Sequence, residues 1–171
     1  MSAERCELCG AAVAARHDHL VDGAGPRLLC ACDACAVVAE PGRRVRRRVE
    51  RLGVASPSAA TWRALNVPVD LAFFFTTGDD ATLGARYPGP AGAVEAALPG
   101  DALARLAAEI PAAATLARDV EALVVDRRRD AVYRATIDVA FELVASLRGA
   151  RDVGAARDAF FADLDAEAAR G

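Results

Sequence analysis

The sequence predicts an α+β protein in two parts, a small cysteine-rich module followed by an antiparallel sheet covered by helices on one face. Three observations carry this. All five cysteines and both histidines lie between Cys6 and Cys35. Behind them, two apolar strand-like runs, 70–76 and 120–126, are each followed by a turn, a returning strand and a helix. Apolar residues make up 54% of the chain and aromatics only 5%, so Ala, Val and Leu must fill most of a core. The 171 residues suit a metal-held module and a larger core. The expected boundaries are 1–42 for the Cys-rich metal-binding module, 43–57 for an Arg-rich edge or linker, and 58–171 for the α+β domain.

In the module, Cys6-Glu7-Leu8-Cys9-Gly10 has the form of a knuckle, a tight turn whose glycine lets backbone amides curl towards the sulfurs. Leu28-Leu29-Cys30-Ala31-Cys32 reads as a short strand that delivers its last cysteine to a helix start. That helix begins near Cys35 and is stopped by Glu40-Pro41-Gly42. Knuckle, hairpin and a cysteine pair at a helix start is the order of a zinc ribbon or treble-clef-like module. Arg43 to Arg51 follows, with Arg at six of nine positions. No aromatic residue interleaves to stack on bases, so this run reads first as a solvated edge, with a patch for an acidic partner or RNA as the alternative. A partner protein is expected to meet this edge or the surface of the larger part.

In the larger part, Ser58 is an N-cap for a helix through Trp62 and Leu65 that Asn66-Val67-Pro68 ends. Trp62 is expected to anchor the core. The 70–76 strand is apolar on both faces, a Gly78-Asp79-Asp80 turn follows, Thr82 to Tyr87 returns antiparallel, and Pro88 to Gly92 forms a rigid loop. Asp101 is placed to cap a helix with Leu103, Leu106, Ala107 and Ile110 on one stripe, ended by Pro111. After the 120–126 strand, Arg127 to Asp130 turns and Val132 to Thr136 returns. A helix from Asp138 carries Ile137, Phe141, Val144 and Leu147 near one face, with Gly149 past its end. A last helix, about 153–169, holds Phe160, Phe161 and Leu164.

Two Cys-x-x-Cys pairs joined by a hairpin supply four soft ligands, each pair offering two vertices of a tetrahedron. Cys6, Cys9, Cys32 and Cys35 are therefore the expected metal ligands, with zinc as the ion. Iron, as a rubredoxin-like ion or an iron-sulfur cluster, stays open as the alternative. Cys30 is left open between replacing Cys32 as a ligand, packing as a small hydrophobe, and acting as an oxidisable thiol. His17 and His19 are expected to hydrogen-bond within the loop or support the ligands from behind. His17-Asp18-His19 between Cys pairs also resembles zinc-bearing HNH nucleases, but these need a further Asn and His on the following helix. No histidine follows Cys35. A nuclease is not expected.

The larger part shows no P-loop, dinucleotide or Gly-x-Ser-x-Gly spacing. Glu95 and Glu121 are expected to form a buried pair with an arginine such as Arg86 or Arg134 rather than to catalyse. The net charge is −3, and residues 1–51 hold nine Arg against seven acids. Four thiolates on a divalent ion would cancel that excess, so nucleic-acid binding is disfavoured. The polar start Ser2-Ala3-Glu4-Arg5-Cys6 lacks an apolar segment of the signal-peptide kind, and no apolar run reaches the length of a membrane helix. The expected location is cytoplasmic, where five cysteines indicate a metal site rather than disulfides.

Six segments, Arg5-Cys6-Glu7-Leu8-Cys9, His17-x-His19, Leu28-Leu29-Cys30-x-Cys32-x-x-Cys35, Val69-x-Leu71-Ala72-Phe73-Phe74-Phe75, Tyr87-Pro88-Gly89-Pro90-Ala91-Gly92 and Asp119-Val120-Glu121-Ala122-Leu123, together resemble a family of uncharacterised bacterial proteins. Members of that family are often encoded beside genes for uptake-type nickel-iron (NiFe) hydrogenases. The likeness covers nearly the whole chain and is weakest over 40–57 and beyond Gly149. It implies an accessory role in hydrogenase assembly, maturation or electron transfer, and no catalytic residue carries over from it. A non-enzymatic, zinc-stabilised accessory protein whose partner is a hydrogenase subunit or maturation factor is the expectation. A redox-active iron site is the alternative, and a nucleic-acid-binding regulator a weaker one.

Overall fold

Strand β1 (Asp18–Val21) lies at the centre of a three-stranded antiparallel sheet, between β2 (Leu28–Ala31) and β3 (Arg44–Val45). The computed structural model describes residues 5–14, 17–21, 28–39, 44–78 and 82–170, for Leu28 only the backbone. The chain divides into two compact units, Met1–Arg47 and Arg48–Gly171. In the first, helix α1 (Asp33–Val38) follows β2 directly, with Cys32 at its N-cap. Among the described residues its buried apolar cluster is Leu20, Ala31 and Ala36, with Cys35 and Ala39 packed against them. A cluster of that size contributes little against the entropy of ordering a segment of chain. The expected stop at Glu40-Pro41-Gly42 lies outside the described residues.

The second unit is a six-stranded antiparallel sheet in the order β4-β9-β8-β5-β6-β7. Its strands are β4 (Val49–Leu52), β5 (Leu71–Thr77), β6 (Thr82–Gly89), β7 (Gly92–Glu95), β8 (Glu121–Asp126) and β9 (Ala131–Thr136). At the middle, Phe73 pairs with Val124 and Phe74 with Leu123. Side chains alternate between the faces of a strand, and both faces of β5 are apolar, so the sheet must be covered twice. Phe73, Phe75, Val124 and Tyr133 pack with residues of α4 (Ile137–Arg148) and α5 (Val153–Ala168). Ala72, Phe74, Leu123 and Val125 pack with α2 (Ala59–Ala64) and α3 (Ala102–Glu109). The expectation of helices on one face is thereby corrected: the strand and helix repeats place one helical layer on each side.

Most elements fall where their residues direct them, with local differences. Ser58 accepts from the Thr61 amide at the start of α2, and Asn66, at φ 54°, closes that helix in the left-handed region. Trp62 is 3% exposed, meets Phe74 edge-on and donates its indole N–H to the Val69 carbonyl. Pro88 to Gly92 is not a loop. Pro88 and Gly89 end β6, Pro90 and Ala91 make the turn, and Gly92 at φ 133° opens β7. Asp101 sits at the N-cap of α3 but makes no cap, because its carboxylate accepts from Arg105 instead. On α4 the buried set is Val139, Ala140, Leu143, Val144 and Leu147, whereas Phe141 is 39% exposed at the margin, edge-on to Phe73 and beneath Arg86. Gly149 lies past α4 with φ −100°, so no left-handed cap is formed there.

The Arg43 to Arg51 run divides between the units. Arg44 and Val45 pair with β1, while Val49 to Leu52 form the edge strand β4 against β9. No helix among the described residues is long and apolar enough to cross a membrane.

Candidate metal centre

The knuckle folds as its residues predict. The Gly10 amide donates to the Cys6 carbonyl and the Cys6 amide to Ala11, each at 2.8 Å, while Arg5 and Ala12 form a bridge. Gly10 takes φ +77°, a conformation that any other residue adopts at a cost. Glu7 then ties the turn to β2. Its amide donates to the Cys30 carbonyl at 2.9 Å, and its carboxylate accepts the Cys30 amide at 2.7 Å. At the other end of β2 the chain turns at Cys32 into α1, which sets Cys35 one turn further on.

These constraints bring the sulfurs of Cys6, Cys9, Cys32 and Cys35 within 4.8 Å of one another, and Cys9 lies 3.7 Å from Cys32. A tetrahedron of sulfurs about 2.3 Å from a central ion has edges of about 3.8 Å, so the donor set fits a tetrahedral thiolate site. None of the five cysteines is in a disulfide. Cys6 is 2% exposed, and Cys9 faces solvent.

The cluster is electrostatically uneven. The Cys32 amide, and after it those of Leu8 and Cys9, are directed at the Cys6 sulfur and overcome its burial, bringing that thiol down to about 6. Cys35 is pushed up to about 12 because Cys9, Cys32 and Cys6 crowd it with sulfur. At Cys9 the Ala11 amide pulls the thiol down, but the neighbouring Cys6 and Cys32 outweigh it and the net shift is upward. Four thiols at this separation resist full ionisation, whereas one divalent cation at their centre would favour it.

Cys30 stands outside this set. It lies with His17 and His19 in a second group whose ligand atoms are within 4.8 Å of one another. A regular strand would put Cys30 and Cys32 on one face, but Cys32 is past the end of β2 and turns into the helix instead. The residues of the second group were all visible in the sequence. Their convergence depends on the β1–β2 register, which composition does not reveal.

In the second unit both acids pair with the arginines named, half-buried at Glu121 but exposed at Glu95, where a buried pair was the expectation. Arg134 grips Glu121, with Nε 3.0 Å from Oε2, and Arg86 lies 4.0 Å from Glu95 directly across β6 and β7. A cleft of about 590 Å³ beside β4 is lined by Arg48, Glu50, Arg51 and Asp165. Asp165 there accepts from Tyr133 at 2.7 Å and pairs with Arg51 at 3.0 Å, which fastens α5 to the sheet.

The model of a family of unknown function, DUF5947, matches residues 5–168, and the chain belongs to that family. No curated protein and no solved structure matches the chain.

Proposed function

We propose that this DUF5947 chain is a non-enzymatic accessory protein whose front unit is held by one zinc ion on Cys6, Cys9, Cys32 and Cys35, and which acts by docking on another protein. The observation that carries this reading is the convergence of four sulfurs beside a small apolar cluster, Leu20, Ala31 and Ala36 among the described residues. A closed four-thiolate site stabilises such a segment and leaves no vertex for substrate. Docking is supported by apolar side chains left on the module's surface, Leu8 at 51%, Val37 at 74% and Val38 at 81% exposure. The resemblance of the sequence motifs to proteins encoded beside hydrogenase genes supplies the partner class, a NiFe-hydrogenase subunit or maturation factor.

An iron-thiolate electron carrier is the second reading, favoured by one observation, the exposure of Cys9. Nucleic-acid binding is weaker, because Arg44, Arg48 and Arg51 are already paired with Asp18, Glu50 and Asp165.

Elemental analysis and visible absorption of anaerobically purified protein separate zinc from iron, since zinc thiolates are colourless. Zinc is expected, and it should be lost from this site in Cys9→Ser. Affinity capture from cells expressing the hydrogenase genes should recover one hydrogenase subunit or maturation factor, with recovery reduced in the Leu8→Ser, Val38→Ser double variant. Coloured iron-loaded protein contradicts the zinc assignment, and repeated failure to capture such a protein contradicts the partner.

A further inference from the structure

Directly beside the knuckle, β1 and β2 place a second group of soft ligands. His19 and Cys30 are paired across the two strands. Both the amide and the carbonyl of Cys30 are taken up by Glu7 on the outer side of β2. In an antiparallel pair the N–H and C=O of one residue point the same way, so His19 and Cys30 form a non-hydrogen-bonded pair, the kind whose side chains approach most closely. The Cys30 sulfur is 3.8 Å from His19 Nε2. Two ligands on a tetrahedral zinc-sized ion, one imidazole nitrogen and one thiolate, are about 3.6 Å apart.

His17 completes the triangle. It precedes His19 by two residues, and the two rings lie 4.6 Å apart between centroids. Its Nδ1 is 2.8 Å from the Ala14 carbonyl. Donation there fixes the tautomer with the lone pair on Nε2, and a backbone carbonyl behind the ring is the usual support of a metal-binding histidine. The neighbouring carboxylates are committed elsewhere, Asp18 to Arg44 at 2.6 Å and Glu7 to the Cys30 amide. All three ligand residues are half-buried, open enough for an ion to enter.

We propose that His17, His19 and Cys30 form a second metal site, which takes a divalent first-row transition ion of the zinc class with two imidazoles and one thiolate. Three protein ligands leave the fourth vertex to water or to an incoming ligand, unlike the closed four-sulfur centre. Imidazole with thiolate suits zinc and its borderline neighbours and disfavours magnesium and calcium, which take oxygen ligands. The site stands on its own geometry and does not require the docking role.

Native mass spectrometry of the full chain, titrated with Zn²⁺, tests it, with Co²⁺ absorption as the second readout. The wild type should bind two ions. His19→Ala and Cys30→Ser should each bind one and keep the cobalt spectrum of the four-sulfur centre, which shows that the module is still folded. His17→Ala should weaken the second ion selectively. Saturation of the wild type at one ion, with that ion lost only in Cys9→Ser, would mean that Cys30 and His19 share a hydrogen bond and nothing more. Two ions retained in both His19→Ala and Cys30→Ser would overturn the ligand assignment. Loss of the four-sulfur spectrum from the wild type would instead sink the zinc-module reading without touching the count at the second site.

Discussion

Asp126 shows how much one side chain can carry in the larger unit. It is 0% exposed and its carboxylate accepts from Arg157 through two nitrogens, at 2.6 and 2.9 Å, and from the Arg129 amide at 3.1 Å. Removing the cation leaves a buried charge with only part of its compensation. Arg157→Ala should therefore lower stability by about 3–5 kcal/mol, and urea unfolding monitored at Trp62 measures it. Replacing both partners by apolar residues should cost far less than the single change, because no charge is then stranded. The acidic end of the 120–126 strand was legible in the sequence, but Arg157 was not, since nothing local links α5 to a turn 31 residues away. The same distinction applies at the cysteines. Spacing identified the two pairs, while the exclusion of Cys30 from their set depended on where β2 ends.

Among the elements, α2 and α3 are joined by a single acid. Glu109, the last residue of α3, accepts from the Thr61 hydroxyl, the Ser58 amide at 2.6 Å and the Ser58 hydroxyl at 2.8 Å. Thr61 first and the Ser58 amide next hold its carboxyl below the ordinary glutamate range. The folded pKa lies below the unfolded one, so its contribution is present in full above about pH 4.3 and is lost as pH falls through the lowered value. Glu109→Gln should be less stable than the wild type at pH 7, and the gap should close as the pH is taken down through the lowered value of the Glu109 carboxyl. A constant gap across that range in denaturant unfolding would rule out the ionic contribution. Ser58 was legible as a cap because caps are local. Its tie to Glu109 was not, because it spans 51 residues. The β6–β7 hairpin is hidden for another reason: two prolines mimic a loop, yet Pro88 sits in a strand, Pro90 and Ala91 make the turn, and Gly92 at positive φ opens β7. The buried face of α4 was misjudged because Phe141 weighs heavily in an apolar stripe although it packs only at the margin.

At the scale of the whole molecule the two units are stabilised by different physics. The larger one buries an apolar layer on each face of its sheet and contains the aromatic pairs Phe73–Phe75 and Tyr133–Phe161. It requires no ion. The smaller one has, among its described residues, the buried cluster Leu20, Ala31 and Ala36 and two sets of soft ligands, so on the proposed reading its folding is coupled to metal binding. That contrast was readable from the sequence in outline, because every Cys and His falls in one segment and nearly all the long apolar runs in the other. The second helical layer was not, since alternation within a fully apolar strand does not show how many faces are covered. The most direct test is hydrogen exchange on the full chain before and after removal of metal by a strong chelator. Amides of the knuckle, β1, β2 and α1 should lose their protection together while those of β5 and β8 keep theirs. Unchanged protection of the knuckle and α1 in demonstrably metal-free protein would contradict the claim that an ion among the four sulfurs holds the first unit.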